Sequence, residues 1–415
     1  MQILMLAQTT AASGQVSGFG WPVFVLGGLF ALILLLIYPA FVLRKYVKIM
    51  IHIMDDRAVG ENGHSEYFAL EGEELNFRAV DGHQLAGIVM HGDHGGHPKG
   101  MIVFAHEFGN DRSSCVRYAK PLLQHGYDVF AFDFRGHGAS PPEQGYRPRQ
   151  WPSDRERADM LGAIAIIGSW LEQRGRSRDL GLFGISRGAG AAILASTNID
   201  SVKAIVTDGV FSSDSTMEFL MRRFATIFAK IRIVAENHPP MFWRFLRWLL
   251  FRECRRKFGC QFPSVRKAIV KLHRKPIFFI HGERDSYIPI AQSQALYNIA
   301  KGPKYLWIVA GAAHNRSIVV SPQEYGRRVC RFFDEYLRGV TVAEEPVAGE
   351  IASDALAGVE EEGRGHKLTG LPATASEPMV VDRVGMEPIA FESLPGDELA
   401  SPMESVVQRS SDKGA

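Results

Sequence analysis

Between about residues 65 and 339, the hydrophobic pattern alternates between short, nearly continuous apolar runs and longer segments with amphipathic spacing. The apolar runs begin at residues 101, 128, 180, 202, 276 and 305 and read MIVFAH, DVFAFDF, LGLFGI, VKAIVTDG, PIFFIHG and YLWIVAG. Such runs are typical of strands buried on both faces of a parallel sheet. Upstream of them, Glu74–Met90 predicts a β-hairpin that turns at Asp81-Gly82.

Helical segments fill the intervals between these strands. The predicted helices are Ser113–His125, Ser153–Arg174, Ser186–Thr197, Ile290–Ala300 and Pro322–Arg338, and most of them end at or near a glycine. Strands that alternate with helices of this length indicate βαβ units. We therefore predict an α/β fold with a mostly parallel central sheet and helices on both of its faces.

An uncharged apolar segment precedes this region. Residues 1–43 contain no charged side chain, and Trp21–Val42 would form a helix about 33 Å long, enough to span a hydrocarbon core of about 30 Å. We predict an N-terminal segment (1–20), one transmembrane helix (21–43) and a juxtamembrane linker (44–65). A cleaved signal peptide is the alternative, but the apolar run is long for one and no positive residue precedes it.

Charge and cysteine content bear on where the chain resides. The first basic residues, Arg44, Lys45, Lys48 and Arg57, follow the apolar segment, so the positive-inside rule predicts a single-pass membrane protein with a cytoplasmic catalytic domain. The opposite topology stays open. The four cysteines form no C-x-x-C pair and have no zinc-site spacing, which fits free thiols in a reducing compartment.

The C-terminal segment differs in composition from the rest. The whole chain has a net charge of +2, but residues 340–415 hold 15 Asp and Glu against 5 Lys and Arg. They are rich in Ala, Gly, Pro, Ser and Glu and show little periodic apolar pattern. This composition predicts a disordered acidic tail and leaves residues 66–339 as the globular domain.

Candidate chemistry centres on LFGISRGAG, in which Ser186 lies between Gly184 and Gly188. A G-x-S-x-G match is weak by itself, but here it joins a predicted strand to a predicted helix, the context of a nucleophile elbow. A serine nucleophile needs a base and a group that orients the base. His314 and Asp285 each follow a later strand, and Asp208 at another strand end is the alternative acid.

Taken together, these motifs resemble the α/β-hydrolase superfamily over about Glu74–Arg338. The resemblance rests on AHEFGNDR (105–112), DFRGHGAS (133–140), GISRG (184–188), HGERDSYIP (281–289) and GAAHN (311–315), and it is strongest to lysophospholipases, monoacylglycerol lipases and serine aminopeptidases, some of which are membrane-anchored. It implies a Ser186, His314 and Asp285 triad. It also implies an oxyanion hole formed by the backbone amides of Phe108 and Arg187.

One position departs from the family pattern. The family usually has His-Gly in the oxyanion loop, whereas here His106 is followed by Glu107. A carboxylate beside a developing oxyanion would repel it unless the side chain points away. His106, His137, His281, Asp133 and Arg135 are expected to be structural.

The connection from Phe211 to Lys275 predicts a cap inserted before the strand that bears Asp285. It contains 15 Lys and Arg against 4 Asp and Glu, and it includes MFWRFLRWLLF (241–251). A basic amphipathic helix of this kind predicts contact with a membrane surface or substrate. The residues expected to make that contact are Trp243, Arg244, Arg247 and Trp248. The alternative is an ordinary packed cap helix with solvated arginines.

The resulting hypothesis is a membrane-anchored serine hydrolase that cleaves carboxylic esters or thioesters. The expected partners are an acyl ester or lipid-like substrate and the lipid bilayer, without nucleic acid, cofactor or metal. The histidine-rich loop HGDHGGHP (91–98) invites a metal interpretation but is better explained as a surface turn. Two alternatives remain open: a peptidase or amidase of the same fold, and a non-catalytic scaffold for membrane-proximal binding.

Overall fold

A computed structural model describes residues 21–33, 37–55, 70–228, 239–339 and 350–352. The predicted N-terminal segment (1–20) and nearly all of the predicted acidic tail (340–415) lie outside these residues. So do residues 34–36 of the predicted transmembrane helix and residues 56–65 of the predicted linker.

Within the described residues, nine strands form one sheet in the order β1-β2-β4-β3-β5-β6-β7-β8-β9. Strands β3 to β8 are mutually parallel, whereas β2 is antiparallel to both of its neighbours and β9 is antiparallel to β8. The strands are β1 (Glu73–Arg78), β2 (Gln84–Met90), β3 (Met101–Ala105), β4 (Asp128–Phe132), β5 (Leu180–Ile185), β6 (Val202–Asp208), β7 (Ile277–Gly282), β8 (Lys304–Val309) and β9 (Glu350–Ala352).

Helices cover both faces of this sheet. One buried apolar cluster joins it to α4, α5, α8 and α9, and a second joins it to α3 and α11. The helices are α1 (Trp21–Leu32), α2 (Tyr38–Asp55), α3 (Cys115–Gln124), α4 (Asp154–Gln173), α5 (Arg187–Ala195), α6 (Ser213–Phe228), α7 (Pro240–Phe258), α8 (Val265–Lys271), α9 (Ile290–Ile299), α10 (Ser317–Val320) and α11 (Pro322–Arg338).

The predicted α/β architecture is confirmed. Each predicted apolar run forms a strand, and each predicted helix is present to within about two residues at its ends. Helix α4 begins at a capping box in which Ser153 accepts a hydrogen bond from the first turn and Glu156 bonds back to the Ser153 amide. The hairpin turns at Gly82, whose φ of 88° is readily available only to glycine.

The structure describes the apolar N-terminal segment in two parts. It comprises α1 and the first residues of α2, separated by residues that the structure does not describe. No helix in the described part of the chain is both long enough and apolar enough to cross a bilayer. Large apolar side chains along this segment are exposed, among them Phe24, Leu26, Phe30 and Phe41.

The segment predicted as a linker begins as a helix. Residues 44–55 continue α2, which buries Val47, Met50 and Met54 in an apolar cluster with α7. These three positions lie on one helical face. Because they follow directly after an apolar run, their helical spacing is not recognisable in the sequence. The α2 helix is therefore packed on the predicted cap, which consists of α6, α7 and α8 between β6 and β7.

The close approach of α5 to the sheet generates a stability prediction. A Cβ atom at Gly188 would overlap the carbonyl oxygen of Ala105 at the end of β3, so the Gly188→Ala variant must shift α5. We expect it to lose about 2 kcal/mol or more of unfolding free energy, measured by urea denaturation. Gly28→Ala is the control, because a Cβ there meets nothing within 4 Å. Equal stability of the two variants would contradict the prediction.

Candidate active site

Ser186 occupies a sharp turn between β5 and α5. Its backbone has φ 50° and ψ −113°, a region that side-chain-bearing residues rarely adopt. The Ser186 amide donates a 2.7 Å hydrogen bond to the carbonyl oxygen of Asp208 at the end of β6. A Cβ at Gly184 would lie 2.5 Å from the Cα of Ala189, so the missing side chain lets the strand and the helix meet closely.

Three side chains that the sequence predicts to act together lie in one hydrogen-bonded line. The Oγ of Ser186 is 2.9 Å from Nε2 of His314, and Nδ1 of His314 is 2.6 Å from Oδ2 of Asp285. The other oxygen of Asp285 accepts hydrogen bonds from the amides of Tyr287 and Ile288. Because Oδ1 is held by these amides, Oδ2 faces the imidazole and orients it toward the serine.

The alternative acid is engaged elsewhere. The carboxylate of Asp208 accepts hydrogen bonds from the hydroxyls of Ser317 (3.2 Å) and Tyr325 (3.1 Å). Its complete burial raises its pKa to about 7. Of the two carboxylates, Asp285 is therefore the one hydrogen-bonded to His314.

The two amides predicted to form the oxyanion hole come from different loops. Arg187 is the first residue of α5, where amides have no partner within the helix. Phe108 follows β3. In the described part of the chain, no hydrogen bond of a turn, loop or helix cap joins either amide to a backbone carbonyl.

The side chain of Glu107 is turned toward α3. Its carboxylate accepts hydrogen bonds from Asn110 (2.8 Å), Ser114 (3.1 Å) and Arg117 (2.9 Å), and the residue is 3% exposed. The Arg117 guanidinium balances its charge. These three donors stabilise the Glu107 carboxylate in the position where it is turned toward α3, which answers the repulsion that the sequence led us to expect.

The side chain of Arg187 is an unexpected feature of the site. Sequence reasoning assigned a role only to its amide, yet its guanidinium is fully buried, about 5.1 Å from the ring centroids of Phe108 and Phe134. It lies 3.6 Å from Glu156 and donates to Nε2 of His137 at 3.3 Å. Burial lowers its pKa despite the nearby carboxylate. The only signal in the sequence was a charged residue between two strongly buried elements.

The other histidines near the site have structural contacts. Burial and the neighbouring Arg187 lower the pKa of His106 to about 3, so its ring is neutral and bridges the Glu107 carbonyl and the Phe134 amide. Burial likewise lowers the pKa of His137 and of His281. Neutral rings of this kind serve as fixed hydrogen-bonding groups within the loops around Ser186.

Asp133 and Arg135 also have structural contacts. Asp133 accepts hydrogen bonds from the amides of Arg112 and Ala139, at 2.7 and 2.9 Å. Arg135 is buried and pairs with the equally buried Asp159. Together these contacts fix the loop that follows β4.

One cluster has metal-ligand residue types. His91, His94 and Asp128 bring their ligand atoms within 4.8 Å of one another, whereas His97 is not part of the group. The Asp128 carboxylate already accepts from His94 (3.0 Å), from the Gly92 amide (3.1 Å) and from Arg176 (2.6 Å). Because the Arg176 cation and these donors use the same carboxylate, we assign no metal here.

The predicted cap contacts lie on different faces of α7. Trp243 is buried, with Arg222 over its ring at 4.9 Å, and Arg247 pairs with Glu218 at 2.6 Å. The prediction that Trp243 faces a membrane or substrate is therefore corrected, because this side chain is buried. The Arg247 side chain is 23% exposed, and its contact with a membrane or substrate stays a prediction. Arg244 and Trp248 are exposed.

The exposed face of α7 forms an apolar stripe, which comprises Met241, Phe245 and Trp248. These side chains are 74%, 51% and 55% exposed, and the last two rings stack at 5.9 Å. Arg252 lies 5.2 Å from the Trp248 ring, so the stripe has basic neighbours.

A separate groove is present in the described part of the chain. It has a volume of about 1090 Å³ and runs between α3 and α11. Neither Ser186 nor His314 lines it. We therefore assign the candidate site to the hydrogen-bonded triad and not to this groove.

Known proteins share parts of this chain. A family described as serine aminopeptidase, S33 (Hydrolase_4) matches residues 96–241, about a third of the chain. The uncharacterized protein YqkD of Bacillus subtilis is 25% identical over 56% of this chain and 70% of its own length. The lysophosphatidylserine lipase ABHD12 of Danio rerio is 27% identical over 51% of this chain and 49% of its own length.

Solved structures resemble this chain as well. The Pyrococcus furiosus esterase Pf2001 is 24% identical, with a TM-score of 0.47, over 68% of this chain and 99% of the esterase. A Pyrococcus horikoshii acylaminoacyl peptidase is 19% identical, with a TM-score of 0.44, over 66% of this chain and 43% of the peptidase.

The raised pKa of Asp208 predicts a pH dependence of stability. The folded state holds the Asp208 proton up to about pH 7, whereas an unfolded Asp releases it near pH 3.8. The difference in Asp208 pKa between the two states therefore lowers the free energy of unfolding as the pH rises from about 4 to 7. We expect the Asp208→Asn variant to gain stability relative to wild type between pH 5 and pH 8, measured by urea unfolding at both pH values. The same pH dependence in both proteins would contradict this assignment.

Proposed function

Because the chain belongs to the α/β-hydrolase superfamily, we propose that it is a serine hydrolase that cleaves carboxylic ester or thioester bonds. The observation that carries this proposal is the pair of hydrogen bonds that forms a relay of side chains: Ser186 Oγ lies 2.9 Å from His314 Nε2, and His314 Nδ1 lies 2.6 Å from Asp285 Oδ2. A serine hydroxyl becomes nucleophilic when a neighbouring base accepts its proton. The relay supplies that base and the carboxylate that orients it.

In the first half of the reaction, Ser186 Oγ attacks the carbonyl carbon of the ester while His314 Nε2 takes the hydroxyl proton. The carbonyl oxygen becomes an oxyanion, and the amides of Phe108 and Arg187 donate hydrogen bonds to it. The tetrahedral intermediate then collapses. His314 returns the proton to the leaving alcohol or thiol, and the acyl group stays on Ser186.

In the second half, water replaces the alcohol. His314 takes a proton from the water as its oxygen attacks the acyl-serine carbonyl, and the same two amides hold the second oxyanion. Collapse releases the carboxylic acid, and the proton returns to Ser186. Throughout, Asp285 stabilises the imidazolium form of His314 without being protonated itself.

A lipid-like acyl substrate is favoured over a small polar ester. The exposed apolar stripe of α7 (Met241, Phe245, Trp248) lies on the cap. One relative bears the name lysophosphatidylserine lipase, which denotes activity on a lipid ester. Apolar surfaces of this kind would stabilise a fatty acyl chain by removing it from water.

An aminopeptidase or amidase activity is the second candidate. It is favoured by the description of the matching family as serine aminopeptidase, S33. The same relay would attack an amide, and His314 would then protonate the leaving amine. Turnover of aminoacyl anilides in preference to acyl esters would decide for it.

A membrane location is proposed for the catalytic domain. It is supported by the exposed apolar side chains of the segment before α2, including Phe24, Leu26 and Phe30, which would be removed from water in a bilayer. The basic residues Arg44, Lys45 and Lys48 favour a cytoplasmic side for the domain. Resistance of the full chain to carbonate extraction from membranes would support the anchor, and release would argue against it.

Removal of the nucleophile or the base tests the chemical proposal. We expect Ser186→Ala and His314→Ala to lower kcat on a short acyl ester by about 10⁵-fold or more, because the relay acts as a unit. Both variants should also lose labelling by a fluorophosphonate. We expect Asp285→Asn to lower kcat by about 10⁴-fold.

The matched control for the acid is Asp208→Asn, which should retain far more activity because Asp208 is hydrogen-bonded to Ser317 and Tyr325, whereas His314 is hydrogen-bonded to Asp285. A folded wild type that neither labels nor turns over esters or aminoacyl anilides would favour the scaffold hypothesis. Equal losses for Asp208→Asn and Asp285→Asn would contradict the assignment of the acid.

The apolar stripe of α7 predicts a substrate-dependent defect. We expect Trp248→Ala to reduce hydrolysis of a lipid ester embedded in anionic vesicles by several-fold, because an interfacial aromatic side chain and the adjacent Arg252 favour such a surface. Hydrolysis of a soluble short ester should be unchanged. Val80→Ala, at a 62% exposed position on the β1–β2 turn, is the control. Equal effects on both substrates would argue against a role at the lipid surface.

A further inference from the structure

The end of α2 is joined to the catalytic domain by a charged cluster. The Asp55 carboxylate, on the last residue of α2, accepts hydrogen bonds from Arg147 (2.6 Å), from Arg149 (3.0 and 3.1 Å) and from Lys257 (3.0 Å). Burial opposes ionisation of this carboxyl, but the hydrogen bonds from Lys257 and Arg149 outweigh burial and lower its pKa. One carboxylate therefore bridges three cations and offsets part of their mutual repulsion.

Arg149 connects this cluster to the interior of the domain. It is only 8% exposed, and its guanidinium lies over the Phe258 ring of α7 at 3.7 Å. The guanidinium also donates to the carbonyl oxygen of Arg147 at 2.8 Å. Contacts to Asp55, Phe258 and Arg147 thus fix the Arg149 side chain, and with it the local path of the backbone.

The carbonyl oxygen of Arg149 contacts the nucleophile elbow. It accepts a 3.3 Å hydrogen bond from Nη1 of Arg187, the residue that follows Ser186. The Arg187 side chain is fully buried, and its Nε has no hydrogen-bond partner among the described residues. Few acceptors lie near the Arg187 guanidinium. The Arg149 carbonyl is therefore one of a small set of groups that determine the position of this guanidinium.

We propose that Asp55 is a positioning residue of the hydrolase site. Through Arg149 it holds the guanidinium of Arg187, which contacts the Phe108 ring, so it sets the relation between the two amides of the oxyanion hole. This inference rests on the proposed function of that hole. The helix that precedes the catalytic domain then also supports the active site.

The substitution Asp55→Asn isolates the charge of this contact. Asparagine has nearly the same shape, but it leaves Arg147, Arg149 and Lys257 without a compensating carboxylate. We expect Arg149 to shift and the oxyanion donors to follow. Because small displacements of such donors weaken transition-state binding, kcat should fall about tenfold with little change in KM.

The test uses the full chain with four proteins: wild type, Asp55→Asn, Asp55→Glu and the control Glu253→Gln. Glu253 is an acid of the cap helix α7, paired with Arg252 at 3.1 Å and with Arg256 at 3.7 Å. We expect Asp55→Glu to recover part of the lost kcat on a short ester and Glu253→Gln to stay within about twofold of wild type. Amide hydrogen exchange in residues 146–152 and 185–189 should accelerate in Asp55→Asn but not in the control.

The outcomes separate this inference from the proposed function. An active wild type whose kcat and elbow hydrogen exchange are unchanged by Asp55→Asn would overturn the positioning role, and so would an equal loss in Glu253→Gln. An inactive wild type would count against the proposed function, and hydrogen exchange at the elbow alone would then decide the positioning role. If Asp55→Asn does not fold, Arg149→Lys replaces it, since it keeps the charge but loses the paired contact, and the same changes are expected.

Discussion

The backbone turn at Ser186 is the constraint on which the rest of the site depends. A residue with a side chain stays at a φ of 50° only when its surroundings fix it, because the conformation is strained. Here β5 and α5 are both buried on either side of the turn, and the Ser186 amide is bonded to β6. The strain is therefore carried by packing of the whole domain, and it directs the serine hydroxyl toward His314.

This dependence explains why much of the site could be predicted from the sequence. Ser186, Asp285 and His314 each follow an apolar run, and parallel strands bring such ends to one edge of a sheet. The pattern alone could not separate Asp285 from Asp208, since both end a strand. The local loop decides between them: two amides hold one oxygen of Asp285 and turn the other toward the imidazole, whereas Asp208 bonds to Ser317 and Tyr325.

The features that sequence reasoning missed all depend on tertiary contacts between distant segments. Composition could not show that Glu107 would meet Arg117 or that the Arg187 guanidinium would be buried between aromatic rings. In α7 both faces carry apolar residues, so the period of the helix could not reveal which tryptophan is buried and which faces solvent. Trp243 lies in the buried cluster that α2, α6 and α7 share, whereas Trp248 is exposed.

The packing of α2 on α7 also bears on the proposed contact with a membrane. Met54 contacts Cys254 and Asp55 bonds to Lys257, so the C-terminal ends of α2 and α7 lie together. The two helices also share the apolar cluster that contains Val47 and Trp243. In each helix the exposed apolar residues, Phe41 in α2 and Met241, Phe245 and Trp248 in α7, lie N-terminal to these ends. In the proposed membrane location, the segment before α2 and the apolar stripe of α7 would face the bilayer, while the charged ends of both helices stay with the catalytic domain.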